Sequence, residues 1–113
     1  MKTMTKVTIT KTNSHITAVS ALGHTDYAVE GEDIVCAALS SIIQTALLGL
    51  LTVAGIGVDY KKDDEEGRLE FSLPALSEKD RYAADMILNT MAAGVNDLYE
   101  GFSKFVKVKT VSK

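Results

Sequence analysis

The chain has 113 residues, a length that predicts a single domain over residues 1–113 with a core large enough to fold without disulfides or metal. It is 46% hydrophobic and 24% charged, which excludes a disordered chain. The 12 basic and 15 acidic residues give a formal net charge of −3, which argues against broad contact with a nucleic-acid phosphate backbone.

The first residues, MKTMTKVTIT, lack the apolar core of a secretory signal. Cys36 is the only cysteine, so an internal disulfide is excluded and a reducing compartment is indicated. These features predict a cytoplasmic protein.

Two strands joined by a turn open the chain. Thr5 to Lys11 alternates, with Val7 and Ile9 on one side, which predicts a half-buried strand. Asn13-Ser14 is a turn signal, and His15 to Leu22 predicts a second strand paired with the first in a hairpin. Four residues of this second strand are expected to share one face: Ile16, Ala18, Ser20 and Leu22.

A long apolar helix follows. Asp33 predicts its N-cap, and the helix is expected from about Ile34 to about Val53. Its apolar residues cover most of its circumference, so nearly all its sides need cover. One two-layer domain covers only one side, and a second subunit is the natural cover for the rest. The sequence therefore predicts a homodimer.

The same helix raises the question of a membrane. From Ile34 to Val58 the chain carries no charged residue, and this length is enough to span a bilayer. The segment contains several polar residues and is flanked by strand patterns at short turns. We therefore favour a buried core helix, and no membrane partner, over a membrane span. These polar residues, together with one glycine, are Ser40, Ser41, Gln44, Thr45, Gly49 and Thr52.

The second half of the chain predicts two strands, a helix and a last strand. The alternating patterns are centred on Ile56–Tyr60 and Leu69–Leu73, and Phe105–Thr110 alternates again, with lysines that suit an edge strand. Between them, a helix is expected from a cap at Ser77 to about Glu100, closed by Gly101 in the left-handed conformation. Its predicted apolar stripe is Ala84, Ile87, Met91, Val95 and Leu98.

The order of elements is thus ββαββαβ. Mostly antiparallel strands with two helices predict the α+β class, in the form of a two-layer sandwich.

Cys36 is the first candidate for chemistry. It is expected to be the third residue of the long helix, where unpaired N–H groups and the helix dipole favour a thiolate. The alternative is a buried structural cysteine, because free cysteine is among the most buried residue types. Position alone leaves both interpretations open.

His24 is the candidate base. It follows the end of the second strand at Gly23, and a loop bounded by Gly23 and Gly31 leads from it to the helix. Cys–His pairing activates a thiol for acyl transfer, but an exposed loop histidine fits the spacing equally well. The other histidine, His15, is expected to be exposed rather than functional.

Asp33 and Ser40 lie on the helix face of Cys36, three residues before it and four after it. Asp33 is expected mainly to cap the helix, and orienting a histidine is compatible with that role. Ser40 is expected to bond the substrate or the thiol, or to bond back to the carbonyl of Cys36. One cysteine and two histidines without close spacing do not predict a metal site, and no phosphate-binding or dinucleotide motif predicts a cofactor.

The stretch Gly23-His24 followed by GEDIVCAA at 31–38 and Ser40 resembles the Prp family of bacterial ribosomal-processing cysteine proteases. The segment ILNTMAAGVNDLYEGF is similar to the C-terminal half of that family, so the resemblance covers nearly the whole chain.

The resemblance implies a homodimeric cysteine protease that removes an N-terminal extension from ribosomal protein twenty-seven of the large subunit. It implies that His24 is the catalytic base and Cys36 the nucleophile, with Asp33 and Ser40 as supporting residues and Gly23 and Gly31 as hinges of a loop that orders over substrate. The alternative hypothesis is a non-catalytic dimeric ribosome-associated or assembly factor with an inert cysteine.

Overall fold

The computed structural model describes residues 5–23, 32–63 and 67–113, with only the backbone of Glu32 and Asp33. The predicted order ββαββαβ is confirmed. The elements are β1 (Thr5–Thr12), β2 (His15–Leu22), α1 (Glu32–Leu48), a π-helical turn (Gly49–Val53), β3 (Asp59–Asp63), β4 (Arg68–Ser72), α2 (Glu78–Gly101) and β5 (Val106–Ser112).

The five strands form one sheet in the order β3-β4-β2-β1-β5. Three of its pairings are antiparallel, and β5 runs parallel to β1, so the mostly antiparallel sheet is confirmed. β5 is an edge strand, and its Lys107 and Lys109 are exposed. Lysines at this position discourage pairing with the edge of another sheet.

The β1–β2 hairpin contains an irregularity that changes which residues are buried. Thr10 pairs with Ala18 but the next residue, Lys11, pairs with Ile16, so Thr17 is an extra residue on β2. This bulge shifts the alternation by one position, and Val19 and Ala21 are buried after it. The prediction that Ile16 shares a face with Ala18, Ser20 and Leu22 is therefore wrong. Ile16 is buried, whereas Leu22 is 39% exposed.

Both helices contribute to one hydrophobic core with the sheet. The α1 residues in it recur at helical spacing: Val35, Leu39, Ile43, Ala46 and Leu47. Those of α2 are Ala84, Leu88, Met91 and Val95. Leu88 was missing from the predicted stripe, and Ile87, which was included, is only partly buried.

The helical segment Ile34–Val53 is long and apolar enough to cross a membrane, with a mean hydropathy of 2.1. In this compact globule it is a core helix, because one of its sides packs into the hydrophobic core. Its other side is exposed, and Ile34 and Leu48 retain 75% and 57% of their accessible surface.

Several predicted boundaries need correction. α1 begins at Glu32 rather than Ile34, and β3 begins at Asp59, because Ile56 belongs to the buried connection before it. Gly101 is the last helical residue of α2, and the chain leaves the helix through Phe102, with φ −137°. The prediction that Gly101 closes the helix in the left-handed conformation is therefore wrong. The cap at the other end is confirmed, since Ser77 Oγ accepts a hydrogen bond from the Asp80 N–H at 3.2 Å.

Candidate active site

Three parts of the fold meet around the thiol of Cys36. They are Thr5 at the start of β1, Gly23 directly after β2, and Cys36 near the start of α1. These residues lie far apart in sequence, so the sheet and the helix bring them together. The thiol thus lies at the end of the sheet where β2 leaves it.

Cys36 lies deeper in the helix than predicted. Because α1 begins at Glu32, Cys36 is its fifth residue and not its third. The Cα–Cβ bonds of a helix tilt toward its N-terminus, so the side chain still leans back toward the first turn. The residue is partly exposed, and a fully buried structural cysteine is therefore the wrong description.

Gly23 provides the space that the thiol occupies. A Cβ atom at Gly23 would lie 2.8 Å from Cys36 Sγ and 2.8 Å from Thr5 Oγ1, closer than such contacts occur. The Gly23 N–H donates to the Gly67 carbonyl at 2.9 Å, which ties this point of the chain to the start of β4. Glycine at position 23 therefore allows the backbone to approach the thiol directly.

Gly67 is required on the other side of Gly23. Its φ of +65° is a left-handed conformation, and a Cβ at this position would overlap the carbonyl oxygen of Gly23. Two glycines thus pack against each other where β2 and β4 end their pairing, and they set the distance between β2 and Cys36.

Thr5 is a contact of the thiol that sequence reasoning missed. Its Oγ1 donates a hydrogen bond to Cys36 Sγ at 3.1 Å. The available signal was the alternation of β1, because Thr5 shares the buried side with Val7 and Ile9 and a hydroxyl there needs a partner. Only the folded chain shows that the partner is Cys36.

The predicted supporting residues are only partly described. His24 and Gly31 lie outside the described residues, and the role of Gly23 as a hinge stays a prediction. Asp33 lies within the first turn of α1 rather than before it, and its side chain is also outside the described residues. Ser40 is partly buried, and its hydroxyl makes no hydrogen bond to another described residue, so the back-bond to the Cys36 carbonyl is absent there.

His15 lies at the opposite end of β2 from the thiol. Its Nδ1 is 2.8 Å from Asp85 Oδ2, which links the start of β2 to α2. Its side chain is 38% exposed. Since β2 rises about 3.3 Å per residue, its eight residues separate His15 from the Cys36 site by roughly 23 Å. His15 is therefore excluded as the base for this thiol.

The described part of the chain offers no cluster of metal-ligating side chains. Within residues 5–23, 32–63 and 67–113, no three His, Cys, Asp or Glu side chains are grouped closely enough to hold a metal ion. The chemistry that the described site offers is that of a single, partly exposed thiol with a hydroxyl donor beside it.

The sequence matches one known protein family over nearly its whole length. The family model of cysteine protease Prp matches residues 4–107. The chain belongs to this family. It is accordingly a cysteine protease, and Cys36 is its only cysteine. No curated protein matches the chain.

Solved structures share the fold of this Prp-family protein. The SMU.848 protein of Streptococcus mutans has a TM-score of 0.86 at 23% identity, with 97% of this chain and 96% of that chain covered. The ribosomal processing protease Prp of S. aureus, in complex with a substrate peptide, has a TM-score of 0.84 at 23% identity, with 95% and 99% covered. Its complex with a covalently linked product peptide has a TM-score of 0.80 at 24% identity, with the same coverage.

Gly23→Ala is expected to inactivate the protease while leaving it folded. The new methyl group must displace the thiol or the Thr5 hydroxyl, and a misplacement of about 1 Å costs about a hundredfold in rate. The measurement is kcat/KM on a cleavable peptide, with a thermal melt. Gly57→Ala is the matched control, because a Cβ there has nothing within 4 Å. Equal activity in the two variants would contradict the close packing described here.

Gly67→Ala is expected to destabilise the fold more than Gly55→Ala does. Both glycines are left-handed, with φ of +65° and +66°, so both variants bear a strain of about 1–2 kcal/mol. Only the Gly67 variant adds an overlap with the Gly23 carbonyl, since a Cβ at Gly55 has nothing within 4 Å. Denaturant unfolding measures the difference. If both variants lose the same free energy of unfolding, the overlap with the Gly23 carbonyl is relieved without cost.

Proposed function

We propose that this protein is a cytoplasmic endopeptidase that removes the N-terminal extension of ribosomal protein twenty-seven of the large subunit, with Cys36 as nucleophile and His24 as base. The described elements share one sheet and one hydrophobic core, which supports a single catalytic domain over residues 1–113. The observation that carries the proposal is the position of Gly23 against the thiol.

Gly23 is bonded to His24 in the chain, and a Cβ on Gly23 would lie 2.8 Å from Cys36 Sγ. The residue that directly precedes the candidate base in the chain therefore lies against the thiol. This closeness, which the spacing in sequence does not imply, supports the Cys–His pair.

The reaction follows from this pair. His24 takes the proton of the Cys36 thiol, and the thiolate forms a bond to the scissile carbonyl carbon. Unpaired N–H groups of the first turn of α1 stabilise the resulting oxyanion. The peptide C–N bond breaks as His24 returns its proton to the leaving amine. Water, deprotonated by His24, then attacks the thioester and releases the carboxylic acid and the free thiol.

The likeness to the S. aureus protein supports a peptide substrate. That protein carries the description of a ribosomal processing protease, with structures holding a substrate peptide and a covalently linked product peptide. A covalent link between protease and product fits attack by a nucleophile such as Cys36. The alternative, a non-catalytic assembly factor, is disfavoured because the chain belongs to a protease family and its thiol is partly exposed.

We also propose that the protein acts as a homodimer through its helical layer. A groove of about 690 Å³ lies between α1 and α2. All its lining residues are uncharged: Ser41, Ile42, Thr45, Ala46, Gly49, Met86, Ile87, Thr90, Met91 and Gly94. On the same two helices, Leu48 is 57% exposed and Tyr82 is 70% exposed. An uncharged face with exposed apolar side chains is typical of a surface that another subunit covers.

A peptide carrying the N-terminal extension and the following residues of the ribosomal protein tests the activity. Wild-type protein is expected to cut it at one bond, and Cys36→Ala to leave it intact, as measured by mass spectrometry. Ser40→Ala is expected to retain cleavage at a reduced rate, because its hydroxyl is available to bond substrate. Failure of the wild type to cut, or cleavage by Cys36→Ala, would refute the proposed reaction.

The charge substitution Met86→Lys tests the dimer. Met86 lines the groove and is 58% exposed, so a lysine there is tolerated in a monomer but desolvated in a dimer. Sedimentation is expected to show a dimeric wild type and a shift of the variant toward monomer. Tyr60→Lys, on the edge strand β3 and 52% exposed, is the control. A wild type that stays monomeric at micromolar concentration would exclude this interface.

A further inference from the structure

Thr5 occupies an unusual position for a hydroxyl. It is the first residue of β1, it is only 4% exposed, and it is the only buried polar residue among those described. Its N–H donates to the Phe105 carbonyl at 3.0 Å, so its backbone is held in the sheet beside β5. Its side chain therefore projects from a fixed point toward α1.

The hydroxyl of Thr5 is directed at the nucleophile. Oγ1 donates to Cys36 Sγ at 3.1 Å, across 31 residues of sequence. A buried hydroxyl without a partner is costly, and Sγ is the partner that the described structure provides. A hydroxyl donor stabilises a sulfur that carries negative charge more than a neutral one, because charge-assisted hydrogen bonds are the stronger class.

Gly23 lies against both side chains of this hydrogen bond. A Cβ at Gly23 would lie 2.8 Å from both Cys36 Sγ and Thr5 Oγ1, so these two atoms and the glycine backbone touch the same small space. The Thr5 hydroxyl thus approaches the sulfur from the start of β1. A side chain at position 23 would therefore displace the sulfur or the hydroxyl.

We infer that Thr5 is a positioning residue of this protease, whose hydroxyl holds the Cys36 sulfur in place and stabilises its thiolate form. The inference rests on the proposed function, in which Cys36 is the nucleophile. It assigns β1 a part in the site, in addition to the loop and the helix. A purely structural role for Thr5 would instead consist of filling space and satisfying its own hydroxyl.

Thr5→Val separates these two roles because it replaces the hydroxyl with a methyl group of similar size. The expected result is about threefold slower alkylation of Cys36 by iodoacetamide at neutral pH, because the hydroxyl no longer stabilises negative charge on the sulfur. Peptide cleavage is expected to fall by at least a similar factor, in kcat rather than KM. The thermal melt is expected to stay near that of the wild type, since valine suits a buried strand position.

Matched variants complete the test. Thr8→Val changes the same residue type on the opposite face of β1 and is expected to alter neither alkylation nor cleavage. Thr5→Ser keeps the hydroxyl and is expected to preserve the alkylation rate of the wild type. If Thr5→Val does not fold, the pair Thr5→Ser and Thr5→Ala serves instead, because both lack the methyl group and differ only in the hydroxyl.

The alkylation readout needs no ribosomal substrate, so it tests Thr5 even if the wild type fails to cut the peptide. A folded Thr5→Val variant that is alkylated at the rate of the wild type would overturn the inference. The proposal that Cys36 is the nucleophile would not be affected. Equal alkylation rates for Thr5→Ser and Thr5→Ala would overturn the inference in the same way.

Discussion

The site depends on one steric constraint, which is that the backbone at Gly23 must pass directly beside the sulfur of Cys36. A side chain at position 23 would occupy the space that the sulfur and the Thr5 hydroxyl fill. Gly67 extends the constraint to a second strand, because its own missing side chain lets β4 come close to the Gly23 carbonyl. The strand ends therefore set the position of the thiol as much as the helix does.

Much of the fold was predictable because its signals are local. The alternation of Val7 and Ile9, the turn at Asn13-Ser14 and the cap at Ser77 all depend on residues within a few positions of one another. The errors came from contacts that a local pattern does not contain. The bulge at Thr17 reverses the buried side of β2 through its pairing with β1, and β3 begins late because Ile56 is buried before any strand pairing starts.

The candidate site likewise combines features that the local sequence predicts with features that depend on contacts between distant residues. Cys36 was recognisable from the sequence around it, but its depth in α1 depended on where the helix begins. Thr5 was missed because its partner lies 31 residues away, and an alternating strand with a threonine at its first position is ordinary. The alternation of β1 puts the Thr5 hydroxyl on the same side as the buried Val7 and Ile9. This is the one local indication that the hydroxyl has a specific partner.

The apolar character of α1 serves the site indirectly. One side of the helix places Val35 and Leu39 in the core next to Cys36, which anchors the thiol against the sheet. The opposite side leaves the apolar residues Ile34 and Leu48 exposed, along the same helix as Cys36. A subunit that covers this side would stiffen α1 against the sheet and so hold the sulfur against Thr5 and Gly23. In the proposed dimer, one helix would therefore both place Cys36 and carry the subunit interface, with one side in the hydrophobic core and the other against the second subunit.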